Sequence, residues 1–483
     1  MKLCSRLQGR GPAQVAWLLV VFLLAWSLLI VQHLVRWGSL RRGFVAFAAL
    51  AMAVVASVLL RRFGRALDQL ISPRLGMVLF GALAVAITAM RLFLVQGYSV
   101  PQTSDFGDYR RLGHDLSTGK GYQSGRNNGL TPGRSWRPPG YPLLLAAAYK
   151  ASGQSEIGAG VLDALLGVVL CCAAGALAWQ MAGPTAGVLA LAVVGFSPLT
   201  LILTLTSSSE AAFGAFLFAG LAATVAAENR RRCSIVPTAT VAGLTIGYAC
   251  LIRPPGLLSA AVGLTWLAGM GRAPRAWLVA CLLFVTGASA AILPWTVRNY
   301  MVLGKPLLIS SNGGEVFYSA NVVSSAALGG AYMPENYRRL RSLVPDEVKR
   351  NTLGFVYGVQ YIAEHPWIFV ASLPHRYACM LEAHDCWVDS GQRLPVPTEA
   401  LQALASFAFW FIPFFGLINM RDLARLVTVS RPALLLAGVY IAWMPVSALF
   451  EAFQRAQYPY LLLPLLLTIA AVKSRDGGAL ASE

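Results

Sequence analysis

The residues best suited to chemistry lie in a polar stretch, Thr103 to Tyr149, that interrupts an otherwise strongly apolar chain. Asp105 and Asp108 stand near its start, followed by Tyr109. A carboxylate in a partly dry site that water still reaches can accept a proton from an attacking hydroxyl group, and loss of water raises its basicity. The same aspartates could instead cap the start of a helix. We treat both as candidate catalytic residues, with capping as the alternative.

Arginines that could face these carboxylates come from four separate parts of the chain. Guanidinium groups match the geometry of phosphate oxygens, and the phosphate of a lipid-linked substrate lies at the membrane boundary. Any one of these arginines could instead extend to lipid headgroups. Because they stand beside or between prolines and two acidic residues are available to oppose them, we favour a site that binds the donor phosphate. Its candidates are Arg137, Arg253, Arg298 and Arg455.

Further polar residues are candidates for binding a substrate. Tyr109 and Tyr141 belong to the same polar stretch as the aspartates. Glu210 follows T-S-S-S and is a poor lipid-facing residue, so we expect it to turn inward. There it could bind a sugar hydroxyl, pair with an arginine or cap its helix. Asn312 and Asn321 lie in a turn-rich segment that could line the mouth of a cavity or form an ordinary loop.

No metal or cofactor site is predicted. His375, His384 and Asp385 are near one another in sequence, but their spacing fits no standard zinc signature. Asp105 and Asp108 lack the D-x-D spacing that usually clamps a divalent ion on a sugar nucleotide. The sequence has neither a glycine-rich phosphate loop nor a Ser-His-Asp pattern.

These residues must be positioned by a membrane domain. With 57% hydrophobic and 12% charged residues, and a mean hydropathy of +0.60, the chain cannot cover a water-soluble surface. Since roughly 20 apolar residues cross a bilayer, we predict an all-α polytopic membrane protein with about twelve transmembrane helices. Glycine and alanine crowd these spans, which suits close helix packing. The predicted spans are 14–35, 44–60, 75–97, 157–181, 185–204, 207–227, 236–252, 255–271, 276–294, 400–419, 432–449 and 457–472.

Arginine and lysine in short loops predict the orientation of the spans. Positively charged flanks stay in the cytoplasm, so both termini are predicted to be cytoplasmic and loops 98–156 and 295–399 external. Only Arg36, Arg41 and Arg42 break this pattern. Most of the basic residues behind the net charge of +18 lie in these flanks, and they form no basic soluble face. We therefore expect no nucleic-acid partner. The apolar run after the basic N-terminus is too long for a cleaved signal and predicts a retained anchor.

Four parts follow from this layout. Residues 1–74 form a two-helix hairpin with a basic linker, and residues 75–294 a catalytic transmembrane core that includes the first external loop. Residues 295–399 form the second external loop, or cap, and residues 400–483 the C-terminal transmembrane helices. The cap is long enough for its own helices.

Some segments of the two loops carry more specific signals. The stretch P-D-E-V-K-R-N-T-L-G-F-V-Y-G-V-Q-Y-I-A-E-H-P predicts an amphipathic helix closed by Pro366. Tyr141–Ala151 and Trp367–Ala371 are too short to span, so each lies in the membrane interface or packs at the site. Cys379 and Cys386 could form a disulfide in an oxidising compartment or stay free.

An ordered set of motifs resembles the integral-membrane C-type glycosyltransferases, in particular the bacterial branch similar to protein O-mannosyltransferases and the lipid A aminoarabinose transferase. The motifs run from Asp105 to Pro459 in the family's order. The sequence departs from the family in having Phe106 where a glutamate often follows the aspartate, and in two extra predicted spans before the catalytic loop. The matching pieces are D-F-G-D-Y, G-K-G-Y, R-P-P-G-Y-P, T-S-S-S-E, L-I-R-P-P-G, P-W-T-V-R-N-Y, S-S-N-G-G, E-H-P-W-I-F and R-A-Q-Y-P-Y.

The resemblance implies a C-type glycosyltransferase fold in a bacterial cytoplasmic membrane, with Asp105 as the catalytic base and a polyprenyl-phosphate sugar as donor. The site would face the periplasm, and the acceptor would be a glycan, lipid or protein. The sequence therefore predicts an inverting sugar transfer.

Two other classes of function compete with this hypothesis. A flippase or other transporter of lipid-linked sugars would also need a basic cavity among many spans. It should carry its polar residues near the midplane and in related halves, whereas the predicted spans are mostly free of charge inside. A noncatalytic assembly subunit is the third possibility, and the clustered acidic and basic residues argue against it.

Overall fold

Helices make up the part of the chain that the structure describes, and no strand occurs in that part. The computed structural model describes residues 40–97, 104–123, 133–229, 232–269, 274–322, 334–379, 407, 410–450 and 454–474. The helices are α1 (Leu40–Leu70), α2 (Pro73–Gly97), α3 (Ser104–Ser117), α4 (Gly140–Ala151), α5 (Glu156–Gly195), α6 (Pro198–Leu205), α7 (Ser209–Asn229), α8 (Arg232–Ile252), α9 (Gly256–Ala268), α10 (Pro274–Leu303), α11 (Gly313–Asn321), α12 (Pro334–Leu343), α13 (Glu347–Glu364), α14 (Pro366–Cys379), α15 (Met420–Val429), α16 (Arg431–Leu449) and α17 (Gln454–Ser474). Residues 410–418 are helical as well.

Among these described helices, 6 are long and apolar enough to cross a membrane, which makes the chain a membrane protein, as its composition predicts. The predicted first span, 14–35, and part of 400–419 lie outside the described residues, so the total number of spans stays a prediction. The long apolar segments are Val45–Leu70, Pro73–Gly97, Glu156–Gly195, Ser209–Ala227, Ala276–Leu303 and Arg431–Leu449, and the shorter ones are Pro237–Ile252, Gly256–Ala268 and Pro459–Ser474.

The predicted spans 157–181 and 185–204 differ from the helices observed. Helix α5 covers the first and part of the second, with a break at Gly183, whose φ is +82°. The break between the two predicted spans is therefore present, but the second ends early, at Gly195. Pro198 then begins the short helix α6. Proline suits the first turn of a helix and not its interior, so a new helix starts there and α5 does not continue.

A buried arginine holds this broken region together. Arg91 lies in α2, and its guanidinium donates hydrogen bonds to the carbonyl oxygens of Thr200, at 2.8 Å, and Gly195, at 3.3 Å. It also donates to the hydroxyl of Thr204. Gly195 ends α5, and the carbonyls at the end of a helix lack partners within that helix, so the cation satisfies one of them. The expectation that the spans are mostly free of charge inside therefore has an exception in α2.

Helices α8 and α10 pack backbone against backbone through glycine. A Cβ atom placed on Gly247 would lie 2.7 Å from the Cα atom of Ala288, and one placed on Gly243 would meet the carbonyl oxygen of Phe284. Glycines four residues apart on one helix allow a neighbouring helix to approach this closely within lipid. The predicted role of small residues in close packing is confirmed for this pair of helices.

Both predicted loops contain helices in the residues that the structure describes. Helices α3 and α4 lie in loop 98–156, and α11 to α14 lie in loop 295–399. The predicted amphipathic helix is confirmed as α13, whose first turn is capped by the side chain of Asp346. Its carboxylate accepts hydrogen bonds from the backbone N–H groups of Lys349, at 2.8 Å, and Val348, at 3.0 Å. The bond from Lys349 is the main reason that the pKa of Asp346 lies below its usual value.

The glycine contact of α8 predicts a steric effect on stability. We expect Gly247→Leu to destabilise the protein by about 1–3 kcal/mol, because the new side chain would overlap the backbone of α10. Gly81→Leu is the matched control, since nothing lies within 4 Å of a Cβ placed there. Thermal unfolding of both variants in detergent micelles checks this, and an equal melting temperature for the two would contradict it.

Candidate active site

Helix α3 carries the two predicted catalytic aspartates. Asp105 lies in its first turn and Asp108 about one turn later. An acidic residue in the first turn is favoured by the helix dipole, which explains locally why the helix begins here. Both carboxylates nevertheless accept hydrogen bonds from an arginine outside the helix. Capping alone therefore does not account for them.

Arg137 joins the two aspartates. One of its terminal nitrogens is bonded to Asp105, and its Nε lies 3.1 Å from a carboxylate oxygen of Asp108. The guanidinium also lies over the rings of Trp136, at 4.6 Å, and Tyr109, at 5.1 Å. Burial alone would lower the pKa of Arg137, but the negative charge of the two aspartates outweighs it and raises that pKa well above the usual value. Arg137 is therefore a permanent cation at the centre of the site.

The two aspartates differ in their access to solvent. Asp108 is buried and also accepts a hydrogen bond of 2.6 Å from Arg111. Arg111 is itself fixed by Asp115 and by the backbone oxygen of Gln123. The side chain of Asp105, in contrast, is 34% exposed. Asp105 is therefore the carboxylate that solvent can reach, whereas Asp108 is enclosed by Arg111 and Arg137.

A second polar layer lies behind Tyr109. The rings of Tyr109 and Tyr141 meet edge to face, with centroids 5.4 Å apart. The hydroxyl of Tyr141 donates a 2.6 Å hydrogen bond to Asp163, which also accepts one from Ser207. Arg110, the neighbour of Tyr109, lies 3.5 Å from the same carboxylate. Tyr141, a predicted substrate-binding residue, therefore belongs to a buried polar layer that supports α3. This layer is centred on Asp163, which was not predicted from the sequence.

Glu210 and Arg253 form a separate ion pair. Glu210 is buried at the start of α7, and its carboxylate lies 2.7 Å from the guanidinium of Arg253, which also donates to Ser209. Of the alternatives predicted for Glu210, the structure therefore shows pairing with an arginine. The pair lies close to the start of α4, because a Cβ atom placed on Gly140 would lie 2.7 Å from the backbone nitrogen of Ile252.

Arg298 approaches the Asp105 cluster from α10. Its guanidinium donates to the hydroxyl of Ser135, at 2.9 Å, and to the carbonyl oxygen of Arg134, at 2.7 Å. It lies 5.6 Å from the ring centre of Tyr122, whose hydroxyl donates to the carbonyl oxygen of Arg137. Within the described residues, no carboxylate lies within 4.0 Å of Arg298. Unlike Arg137 and Arg253, it has no carboxylate at ion-pair distance in that part of the chain, although the more distant carboxylate of Glu347 still acts on it electrostatically.

The second loop meets the first through a buried glutamate, Glu315 of α11. Its carboxylate accepts hydrogen bonds from Arg341, at 2.9 Å, from Arg350, and from the indole N–H of Trp136, at 3.1 Å. Arg341 also lies 4.7 Å from the ring centre of Trp136. The indole next to Arg137 is therefore held between two guanidinium groups. Sequence reasoning missed Glu315, although it directly follows the quoted S-S-N-G-G motif.

A second glutamate ties the same two loops together. Glu347, the first residue of α13, accepts hydrogen bonds from the backbone N–H groups of Arg134, at 2.9 Å, and Ser135, at 3.2 Å. It also accepts one of 3.0 Å from the hydroxyl of Ser311. The segment that leads into Arg137 is thus fastened at its backbone to the second loop.

The two predicted asparagines lie in the second loop. The side-chain oxygen of Asn312 accepts a hydrogen bond from Ser310. Asn321 is buried, donates to the carbonyl oxygen of Leu449 at 2.8 Å and accepts from Arg376 at 3.0 Å. Its polar atoms are therefore occupied in joining α11 to α14 and α16, and neither asparagine is brought to the Asp105 cluster by these contacts.

Other predicted residues fall outside the described part. Within the described residues, no group of three potential metal ligands occurs. Helix α17 includes position 455, but the side chain there is not described. The side chains of His375 and Cys379 in α14 are likewise not described. His384, Asp385 and Cys386 lie entirely outside the described residues.

Comparisons with known proteins give structural likeness only. No protein-family model and no curated protein sequence matches the chain. The oligosaccharyltransferase AglB from Archaeoglobus fulgidus, solved with an inhibitory peptide and a dolichol-phosphate, is 12% identical over 80% of this chain, with a TM-score of 0.44. This chain covers 50% of the length of AglB, about half.

A second similar structure is ArnT from Cupriavidus metallidurans bound to undecaprenyl phosphate. It is 13% identical, with a TM-score of 0.40, and the match covers 82% of this chain and 76% of ArnT. At these identities and TM-scores, function has to be inferred from the geometry of the site.

The different surroundings of the two aspartates predict different effects on stability. We expect Asp108→Asn to destabilise the protein by about 3 kcal/mol, because it removes a buried negative charge from between two guanidinium groups. Asp105→Asn is the matched control and should leave stability nearly unchanged, since its carboxylate is partly solvated. Thermal unfolding in detergent micelles measures both, and equal losses of stability would contradict the division of roles.

Proposed function

We propose that this chain is a membrane glycosyltransferase that moves a sugar from a polyprenyl-phosphate donor to an acceptor, with Asp105 as general base. One observation carries the proposal: a partly exposed carboxylate is held by buried Arg137 near Arg298, a guanidinium without a carboxylate partner among the described residues. A base near a cation that has no carboxylate at ion-pair distance in the described residues suits a reaction that removes a proton and releases a phosphate. The ordered sequence motifs around these residues support the same reaction.

The chemistry needs one base and one or more cations. The oxygen or nitrogen of the acceptor attacks the anomeric carbon of the sugar while the bond from that carbon to the phosphate oxygen breaks. The electron pair stays with the phosphate, which is already ionised and leaves without a proton. Asp105 takes the proton of the acceptor. Because the attack is direct, the configuration at the anomeric carbon inverts.

The surrounding residues have distinct roles in this proposal. Arg137 shares its charge with Asp105 and Asp108, so we assign it mainly to orienting the base. The charge of Arg253 is largely offset by Glu210. Arg298 is therefore the strongest candidate for stabilising negative charge on the departing phosphate, because nothing anionic competes for it at ion-pair distance in the described residues.

The face of the membrane follows from the distribution of positive charge. Arginines and lysines in short loops predict that helices α3 and α4 lie outside the cytoplasm, and in a bacterial cell this places the site at the periplasmic face of the cytoplasmic membrane. A polyprenyl-phosphate sugar presented in that leaflet can reach the site laterally, and the acceptor is a glycan, lipid or protein that reaches the same face.

A transporter of lipid-linked sugars is the main competing function. Such a protein should hold polar groups near the membrane midplane. Here the Asp105 cluster lies on loop helices, and the charged Arg91 and Asp163 within spans are bonded into fixed contacts with neighbouring helices. These fixed contacts favour a stationary site over a moving pathway.

Replacement of the base tests the proposed reaction. We expect Asp105→Asn to lower transfer of radiolabelled sugar from a polyprenyl-phosphate pool by about 10²–10⁴-fold, as loss of a general base does. Membranes that contain the native protein and the variant at matched expression are compared, and matched melting temperatures exclude misfolding. Full activity of Asp105→Asn would remove this residue from the mechanism.

Replacement of Arg298 tests the proposed phosphate site. We expect Arg298→Ala to lower the transfer rate by about 10²–10³-fold, the usual loss when a group that stabilises transition-state charge is removed. Arg298→Lys should restore part of the rate, because it keeps the charge but not the two-pronged geometry. Arg339→Ala, on the exposed surface of α12, is the matched control. The assignment fails if Arg298→Ala and Arg339→Ala transfer sugar equally fast.

A further inference from the structure

Helices α13 and α14 present an apolar surface that the proposed reaction does not use. Neither Asp, Glu, Lys, Arg nor His occurs in residues 351–363 or 366–374. The apolar side chains here are well exposed, with values of 50% for Val356, 57% for Val359 and 81% for Trp367. A helix that faces water normally has a charged or strongly polar side, and exposed apolar patches of this kind mark contact surfaces. Something other than water is therefore expected to cover this hairpin.

Helix α12, in the same loop region, shows the opposite pattern. It is ten residues long and contains Glu335, Arg338 and Arg339, all exposed. The region as a whole is therefore not apolar. The lack of charge is confined to residues 351–363 of α13 and 366–374 of α14, since Glu347, Lys349 and Arg350 precede these stretches, Glu364 and His365 lie between them and Arg376 follows. These two stretches therefore point to a local environment that differs from the one around α12.

The end of the hairpin is fixed to a membrane-spanning helix. Arg376 donates a 2.8 Å hydrogen bond to the carbonyl oxygen of Ala448, and the hydroxyl of Tyr377 donates one of 3.2 Å to Met444. Both acceptors belong to α16, an apolar helix long enough to span, which ends at Leu449. At 1.5 Å per residue, Met444 lies about 7 Å inside that end. Helix α14 is therefore fixed to the last two turns of an apolar helix that is long enough to span.

The start of the hairpin is fixed near another span. Lys305 follows α10, which ends at Leu303, and its amino group lies 3.5 Å from the carboxylate of Asp346, the cap of α13. The two ends of the hairpin are thus joined to the ends of two helices that can cross the membrane. This continuity with the lipid-facing part of the protein identifies the most plausible occupant of the apolar surface as lipid.

We infer that the α13–α14 hairpin lies in the surface of the bilayer, with Val356, Val359, Trp367 and Val370 at the boundary between headgroups and acyl chains. Tryptophan is favoured at that boundary, and helices with one apolar face lie in it in this way. The partner is the phospholipid bilayer itself. This inference stands on the surface and its two attachments, and it holds whether or not the protein transfers sugars.

The placement has a consequence for the proposed site. Glu347 at the start of α13 is hydrogen-bonded to the backbone of Arg134 and Ser135, close to Arg137. The depth of the hairpin in the bilayer therefore helps to set the height of the Asp105 cluster above the membrane. A phosphate in the headgroup layer would then lie near the level of Arg298. This last consequence rests on the proposed function.

Site-directed fluorescence in liposomes tests the inference. An environment-sensitive dye is attached to the full chain at Val359→Cys or Trp367→Cys, and to the control variants Lys349→Cys and Arg339→Cys, which are exposed and charged in the native chain. The unsubstituted protein, labelled in the same way, measures the signal from the native cysteines. Each variant is titrated with brominated phosphatidylcholine in the membrane and with iodide in the water.

We expect brominated lipid to quench the dye at positions 359 and 367 at least about twofold more than at 349 and 339, with the reverse order for iodide. Equal quenching by iodide at all four positions would place the hairpin in water and overturn the inference. Protection from both quenchers at 359 and 367 would also overturn it, because a protein surface, from a second copy or another chain, would then cover the hairpin. None of these readings depends on sugar transfer, so they separate this inference from the proposed function.

Discussion

The candidate site depends on one buried guanidinium, that of Arg137, held between two carboxylates of helix α3. A buried charge is costly unless it is paired and hydrogen-bonded, and breaking such a pair from one side typically costs about 3–5 kcal/mol. Arg137 meets this requirement through Asp105, Asp108 and the ring of Trp136. The position of α3 relative to the rest of the protein is therefore set by electrostatics as much as by apolar packing.

The same constraint extends into the second loop. The indole of Trp136, which lies against Arg137, donates a hydrogen bond to Glu315. Glu315 is buried and paired with Arg341 and Arg350. Glu347 fastens the backbone of the same segment from α13. Two loops separated by a large part of the chain are thus joined by hydrogen bonds next to Arg137 and the partly exposed carboxylate of Asp105. In the proposed mechanism, these fixed partners keep the base oriented.

Much of the fold follows from local properties of the sequence, and much of the site does not. Apolar runs predict the long apolar helices, and the amphipathic stretch closed by Pro366 predicts α13, because these effects act within a few residues. Asp105, Asp108 and Arg137 could be selected because charged residues beside apolar segments are costly without a partner. Glu315, Asp163 and Arg91 could not, since each is explained by partners distant in sequence that only the folded chain brings together. The early end of α5 at Gly195 has a local cause in Pro198 and a distant one, since the guanidinium of Arg91 from another helix satisfies the carbonyl of Gly195.

The most direct measurement of the central claim uses the purified protein in liposomes with a polyprenyl-phosphate sugar labelled in both sugar and phosphate. Sugar transfer predicts that free polyprenyl phosphate appears in the same amount as glycosylated acceptor, with the sugar inverted at its anomeric carbon, and that both products disappear with Asp105→Asn. Intact donor found on the opposite side of the bilayer, with no polyprenyl phosphate released, would show transport instead and contradict the account.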